Sequence, residues 1–148
     1  MAHSLMLGCA LAGVNIRVAT PADYAPDRDV VKQAQTLASD RCKIQVTTDP
    51  QIAAAGANIL YTDVWASMGQ EDSAESRIPI FQPYQVNSKL LGLADKEAIV
   101  LHCLPAHRGE EITEDVLEGA QSQVWLQAEN RMHAQKALLA SLLGAVGN

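Results

Sequence analysis

The sequence predicts an α/β domain: an open, doubly wound, Rossmann-like parallel sheet of about five strands with helices on both faces. Three observations carry that prediction. Short apolar runs alternate with helical patterns along the chain, no hairpin signal joins one run to the next, and polar residues gather in the turns that follow the runs.

The runs that read as buried strands are Val14–Thr20, Lys43–Thr48, Asn58–Val64, Ala98–Leu104 and Gln123–Gln127. Between them lie the helical patterns. Ser4–Ala12 opens on a serine suited to cap it, and Asp27–Ala38 follows Pro26 and sets Val30, Val31, Ala34 and Leu37 on one side. Shorter pieces follow at Pro50–Ala55, Gln85–Leu91 and Glu114–Leu117, and the last helix is expected over Asn130–Leu143. No repeat, low-complexity tract or linker divides the chain, so residues 1–148 read as a single domain.

Composition narrows the function classes. Hydrophobic residues reach 48% and argue against disorder, while only 4% are aromatic, so the core is aliphatic. The formal charge is −6 with no Lys/Arg run, which argues against nucleic acid as a partner. Cys9, Cys42 and Cys103 are an odd number without CxxC spacing, which favours a reducing compartment over a disulfide framework. The apolar stretch Leu5–Ala12 is too short to cross a bilayer, and His3 is its only candidate positive flank. A cytoplasmic chain with no membrane partner is the expectation.

In a parallel sheet, ligands bind outside the carboxyl ends of the strands, so the turns there are where a site belongs. The segment Asp63–Gly69 offers a carboxylate, the Ser67 hydroxyl and backbone amides at Met68-Gly69. Together they suit a zwitterion, with Asp63 facing an ammonium and free N–H groups a carboxylate. On spacing alone, Asp63 or Ser67 serves equally as a helix cap. His102 and Cys103 adjoin the Leu104-Pro105 bond, but neighbours on a strand point to opposite faces, which disfavours a thiol–imidazole nucleophile pair. His102 and His107 with Cys103 between match no metal-ligand spacing, so no metal is expected. Glu110-Glu111 read as a solvated loop, and Glu110, Glu111, Glu114 and Asp115 together as the charged first turn of a helix that Thr113 can cap. Arg131, just past the last run, can reach an anion above the sheet or form a surface ion pair; Asn130 can cap the final helix. Neither GxGxxG nor GxxxxGK[ST] occurs, so no nucleotide cofactor is implied.

Four segments carry a resemblance: TDVWASMGQE (Thr62–Glu71), FQPYQVN (Phe81–Asn87), HCLPAHRGEEIT (His102–Thr113) and QAENRMHAQKALL (Gln127–Leu139). Together they resemble the ornithine carbamoyltransferase family, and Ala2–Pro21 resembles the start of that family's second domain. HCLP is shared by carbamoyltransferases generally; Ser67-Met68-Gly69 is the ornithine-type signature. The resemblance implies synthesis of citrulline and phosphate from carbamoyl phosphate and ornithine in arginine metabolism, with no cofactor. It implies that Asp63 and Ser67 hold the ornithine α-amino group and that Met68 holds its carboxylate through backbone N–H. Cys103 lies near the side-chain amine, and the Cys103 and Leu104 carbonyls hold the carbamoyl NH2 beside a cis Leu104-Pro105 bond. Arg131 contacts carbamoyl phosphate. Asp63, Cys103 and Arg131 are thus the implied catalytic residues.

Family members also have a first half with a Ser-Thr-Arg-Thr-Arg phosphate cradle and a His-Pro-x-Gln segment, and neither motif occurs here. The resemblance therefore implies the ornithine-binding half alone, inactive by itself. The alternatives are a non-catalytic amino-acid-binding module and a folded remnant. In the family the last helix crosses back to the first domain. Met132, Ala134, Leu138, Leu139, Leu142 and Leu143 are then expected to lie exposed and to drive self-association. The family's trimer is built mainly through the first domain and is not carried over to this chain.

Overall fold

The computed structural model describes residues 1–66 and 74–144. Seven α-helices and four strands alternate along the described residues. α1 (Ala2–Ala12) ends where Gly13 turns left-handed at φ 70°, a conformation glycine adopts without a Cβ penalty. β1 (Ile16–Ala19) follows, then a 3-10 turn over Ala22–Tyr24. In α2 (Arg28–Ala38) the Asp27 side chain accepts hydrogen bonds from the Asp29 and Val30 amides at 2.8 and 3.2 Å. The Asp27 amide in turn donates to His3 Nε2 at 3.0 Å, joining the starts of α1 and α2.

β2 (Ile44–Thr47) leads into α3 (Pro50–Ala54), with Asp49 as its cap and Pro50 where a missing N–H costs nothing. β3 (Ile59–Thr62), α4 (Ala74–Phe81) and α5 (Ser88–Leu91) come next; Asn87 caps α5 by accepting from Leu90 N–H. β4 (Ile99–His102), α6 (Glu114–Leu117) and α7 (Val124–Leu142) complete the order. A Ser88 hydroxyl–Asp115 carboxylate hydrogen bond ties α5 to α6.

All strand pairing is parallel. β1 pairs with β2, Ile16 opposite Ile44 through Ala19 opposite Thr47. β3 pairs with β4, Ile59 opposite Ile99 through Thr62 opposite His102. Two cores correspond to the two pairs. Met6, Ala10, Ala34, Ala38 and Ile44 fill the first, where alanines let α1 and α2 approach closely over the sheet. Ala54, Leu60, Val86, Val100, Ile112, Val116, Leu117 and Val124 fill the second.

The α/β class with parallel strands stands as expected; the strand count does not. Gln123–Gln127 is not a strand, because α7 begins at Val124. What remains of a fifth strand is one parallel bridge, Val100 to Ser122, with the Val100 amide donating to Gln121 O and the Gln123 amide to Val100 O, each at 2.9 Å. Asn130 and Arg131 consequently lie inside α7, and Asn130 caps nothing. Ser4 is likewise internal to α1, whose N-cap is Met1. Thr113 stands at the N-cap of α6.

Replacing Met6, fully buried between α1 and the first sheet, with Ala should destabilise the chain by about 2–5 kcal/mol through lost burial and a cavity. Asp27→Ala, losing only a cap, should cost about 0.5–2 kcal/mol. Urea unfolding of both variants checks the ranking.

Candidate functional site

The β3–β4 register builds the site. Thr62 lies opposite His102, so the next residues on each strand, Asp63 and Cys103, leave the sheet side by side. Cys103 Sγ donates to Asp63 Oδ1 at 2.8 Å, and Asp63 Oδ1 also accepts from the Val64 amide at 2.8 Å. Burial first, and then the Asp63 carboxylate, push the Cys103 thiol up to about 11; the Tyr61 hydroxyl pulls weakly the other way. Burial, followed by the nearby Cys103, also raises Tyr61. At neutral pH Cys103 is therefore a neutral thiol hydrogen-bonded to Asp63. That makes Cys103 a donor and a contact surface rather than a thiolate nucleophile.

His102 points to the other face, fully buried. Its Nδ1 accepts the Leu104 amide at 2.8 Å, so Nε2 carries the proton and donates to Glu111 Oε1 at 3.1 Å. Glu111 Oε1 also accepts the His107 amide at 2.6 Å. Between these fixed points runs the loop that holds the cis Leu104-Pro105 bond. Leu104 itself sits at φ 56°, a left-handed conformation that costs a bulky residue roughly 1–3 kcal/mol. The Leu104 amide bond to His102 and the two bonds at Glu111 hold that backbone in place.

Gln127, in the first turn of α7, reaches back under the strands. Its Oε1 accepts the His102 amide at 3.0 Å, and its Nε2 donates to the Tyr61 hydroxyl at 3.3 Å. An aromatic cluster adjoins the turn after Asp63. Phe81 packs edge-on against Tyr24 at 4.8 Å and lies 6.1 Å from Trp65 and 6.3 Å from Tyr84. Arg77 stacks over Tyr24 and donates to the Trp65 carbonyl at 3.1 Å, tying α4 to the turn after Asp63.

Of the residues singled out by sequence, the structure brings Asp63, Cys103 and Leu104 together. Ser67 and Met68 lie outside the described residues. Arg131 is exposed on the second turn of α7, not at a strand end, because the expected fifth strand is helix. The reading of Glu111 as part of a solvated loop is overturned: it is completely buried and holds the loop from inside. Sequence reasoning gave Tyr61 and Gln127 no role beyond their expected strands and placed Glu111 at the surface. Gln127 and Glu111 lie within segments that looked familiar as blocks, but nothing in their spacing distinguished a buried strut from a surface polar residue. Among the described residues, no helix is long and apolar enough to cross a membrane.

Alkylation of Cys103 by iodoacetamide should be slow near pH 8 and accelerate toward about 11. Asp63→Asn removes the carboxylate's share of the upward shift and should speed the reaction near pH 8, followed by intact-mass spectrometry. The same raised value stabilises the fold below the ordinary 9.0, and that contribution is lost as pH rises from there to about 11.

The model for the aspartate/ornithine carbamoyltransferase Asp/Orn-binding domain matches residues 1–142. An ornithine carbamoyltransferase of Nostoc punctiforme is 66% identical over 145 residues, 98% of this chain and 47% of that protein. A Synechocystis relative of the same name is also 66% identical, over 99% of this chain and 47% of its own length. Among solved structures, the ornithine carbamoyltransferase of Gloeobacter violaceus superposes with a TM-score of 0.88 at 52% identity, covering 97% of this chain and 48% of that one. The anabolic enzyme of Campylobacter jejuni gives 0.91 at 33% identity, over 98% and 48%. The chain thus spans about half the length of the relatives it matches. With parallel strands that deliver Asp63 and Cys103 to one edge and a family match over nearly all its residues, the chain belongs to the aspartate/ornithine carbamoyltransferase family, as its Asp/Orn-binding domain.

Proposed function

We propose that this chain is the ornithine-binding half of an ornithine carbamoyltransferase, acting in the cytoplasm in arginine metabolism. The complete enzyme would convert carbamoyl phosphate and L-ornithine to L-citrulline and phosphate. The observation that carries the reading is the Asp63–Cys103 pair, held 2.8 Å apart beside a braced Leu104 backbone.

The chemistry of the pair suits the reaction. A primary amine such as ornithine's is mostly protonated at neutral pH, with a pKa of about 10.4 for its lysine analogue, and must shed a proton to attack. In the proposed roles Asp63 and Ser67 receive the α-ammonium, and the Met68 amide receives the α-carboxylate. Cys103 faces the side-chain amine. The Cys103 and Leu104 carbonyls accept hydrogen bonds from the carbamoyl NH2, and the loop's fixed backbone keeps them aimed before substrate arrives. Arg131 contributes one cation toward carbamoyl phosphate. Positioning two reactants can lower a barrier by about 7–11 kcal/mol, so no covalent intermediate is needed, consistent with a neutral Cys103 thiol.

One arginine does not neutralise a doubly charged phosphate, so the proposed chain is inactive alone and needs a carbamoyl-phosphate-binding domain. The outer helix supports this. Of the residues in α7 only Val124 is buried, while Met132, Leu138, Leu139, Leu142 and the adjoining Leu143 are each at least 59% exposed. In the complete enzyme that face would meet the first domain; without it, the chain is expected to self-associate through α7.

Citrulline formation should appear when the chain is mixed with a separately expressed first domain of a relative, and not with either part alone. Turnover by the chain alone, or none in the mixture, would contradict the proposal. Asp63→Ala should weaken ornithine binding by about 10- to 150-fold, the worth of a hydrogen bond to a charged group, as read by calorimetry. In sedimentation velocity the chain should run larger than a monomer, and Leu139→Glu with Leu142→Glu should restore the monomer.

A further inference from the structure

A second cluster of donor atoms lies on the outer side of the same loop, away from Asp63 and Cys103. His107, Glu110 and Glu111 each present one donor atom, and the three atoms lie within 4.8 Å of one another. His107 Nδ1 is 4.0 Å from Glu110 Oε2 and 3.8 Å from Glu111 Oε2. Glu111 sets the cluster apart from an ordinary acidic patch. Its side chain is 0% exposed, its Oε1 is committed to His102 Nε2 and the His107 amide, and its Oε2 accepts no hydrogen bond from the described residues. A buried carboxylate oxygen without a donor is costly, and this one is aimed at an imidazole nitrogen and a second carboxylate.

The cluster is also held from behind. Gln85 Nε2 donates to the Gly109 and Glu110 carbonyls at 2.9 and 2.8 Å, and the Glu110 amide donates to the His107 carbonyl at 3.0 Å. His107 and Glu110 are 52% and 43% exposed, so the opening faces solvent and gives an ion a route in.

We propose that His107 Nδ1, Glu110 Oε2 and Glu111 Oε2 form a binding site for a divalent first-row transition ion of the zinc type. One imidazole and two carboxylates suit such an ion better than magnesium or calcium, which take all-oxygen shells. Three protein donors leave a coordination position for water. Bond lengths of about 2.0–2.2 Å require only small side-chain rotations from the separations present. The two carboxylate charges balance the ion. Because Glu111 Oε1 also holds His102 and the His107 amide, a bound ion would stiffen the loop that carries Leu104 and Pro105. The spacing His107–Glu110–Glu111 differs from the His102–Cys103–His107 set weighed in the sequence. There the proline and the strand send the donors apart; here one turn of loop brings them together.

Titration with zinc chloride by isothermal calorimetry tests the site on the intact chain and on His107→Ala, Glu110→Ala and Cys103→Ser. The expected result is one saturable site that Cys103→Ser leaves within about twofold. Loss of an outer partner alone costs metal sites about 10–100-fold, so His107→Ala and Glu110→Ala should weaken binding by roughly tenfold or more. Zinc should also raise the melting temperature of the intact chain more than that of His107→Ala, whose zinc-free melting should match the parent because the side chain is half-exposed. Saturable binding that His107→Ala leaves undiminished, binding lost in Cys103→Ser, or no saturable binding would each overturn the proposal.

Discussion

The arrangement of the site depends on one buried carboxylate. Glu111 is taken wholly out of water, and a buried polar group is tolerated only where hydrogen bonds replace its hydration. Its Oε1 receives two, from the His102 ring and the His107 amide, and so it fixes both ends of the Cys103–Ala106 loop relative to β4. The same contact sets the His102 tautomer, which leaves Nδ1 free to accept the Leu104 amide and hold that residue in the left-handed region. A single buried side chain thus governs backbone geometry several residues away, and removing it would release the loop rather than subtract one contact.

The second constraint is register. Parallel pairing places residues of equal progress along β3 and β4 at the same sheet edge, and Asp63 meets Cys103 because Thr62 is opposite His102. A slip of one residue would move the thiol to the other face and set His102 toward Asp63. The second core and Gln127 oppose that slip. Val100 and Leu60 are buried on the core side, and Gln127 clamps the His102 amide and the Tyr61 hydroxyl together.

Much of this was legible in the sequence, for identifiable reasons. The runs at β3 and β4 are nearly unbroken and bounded by turn residues, which is how buried parallel strands read, while β1 carries Arg17 within it. The helices near Asp27–Ala38 and Pro50–Ala55 were readable, whereas Asn87, inside the run Gln85–Leu91, turns out to cap a shorter helix that starts at Ser88. Val124-Trp125-Leu126 misled because strand-favouring residues there open a helix; only Val124 is buried, and Trp125 and Leu126 are both about half-exposed. α4 went unseen because Pro79 lies inside it, and proline ordinarily signals a break. Glu111 was unreadable for a different reason. Its burial is decided by the distant Val86 segment, whose amide bonds to the Glu111 carbonyl and draws that residue under the loop.

The Cys103–Asp63 bond has a bearing on survival under oxidative stress. Peroxides attack thiolates, and the cysteine oxidation ladder begins from that ionised form. A carboxylate acceptor against a half-buried sulfur keeps the group protonated, with its titration displaced to about 11. The Cys103 sulfur is thereby a slower target for sulfenic acid formation than an ordinary thiol. A site built around this pair would keep its cysteine reduced without a resolving thiol or a dedicated reductant.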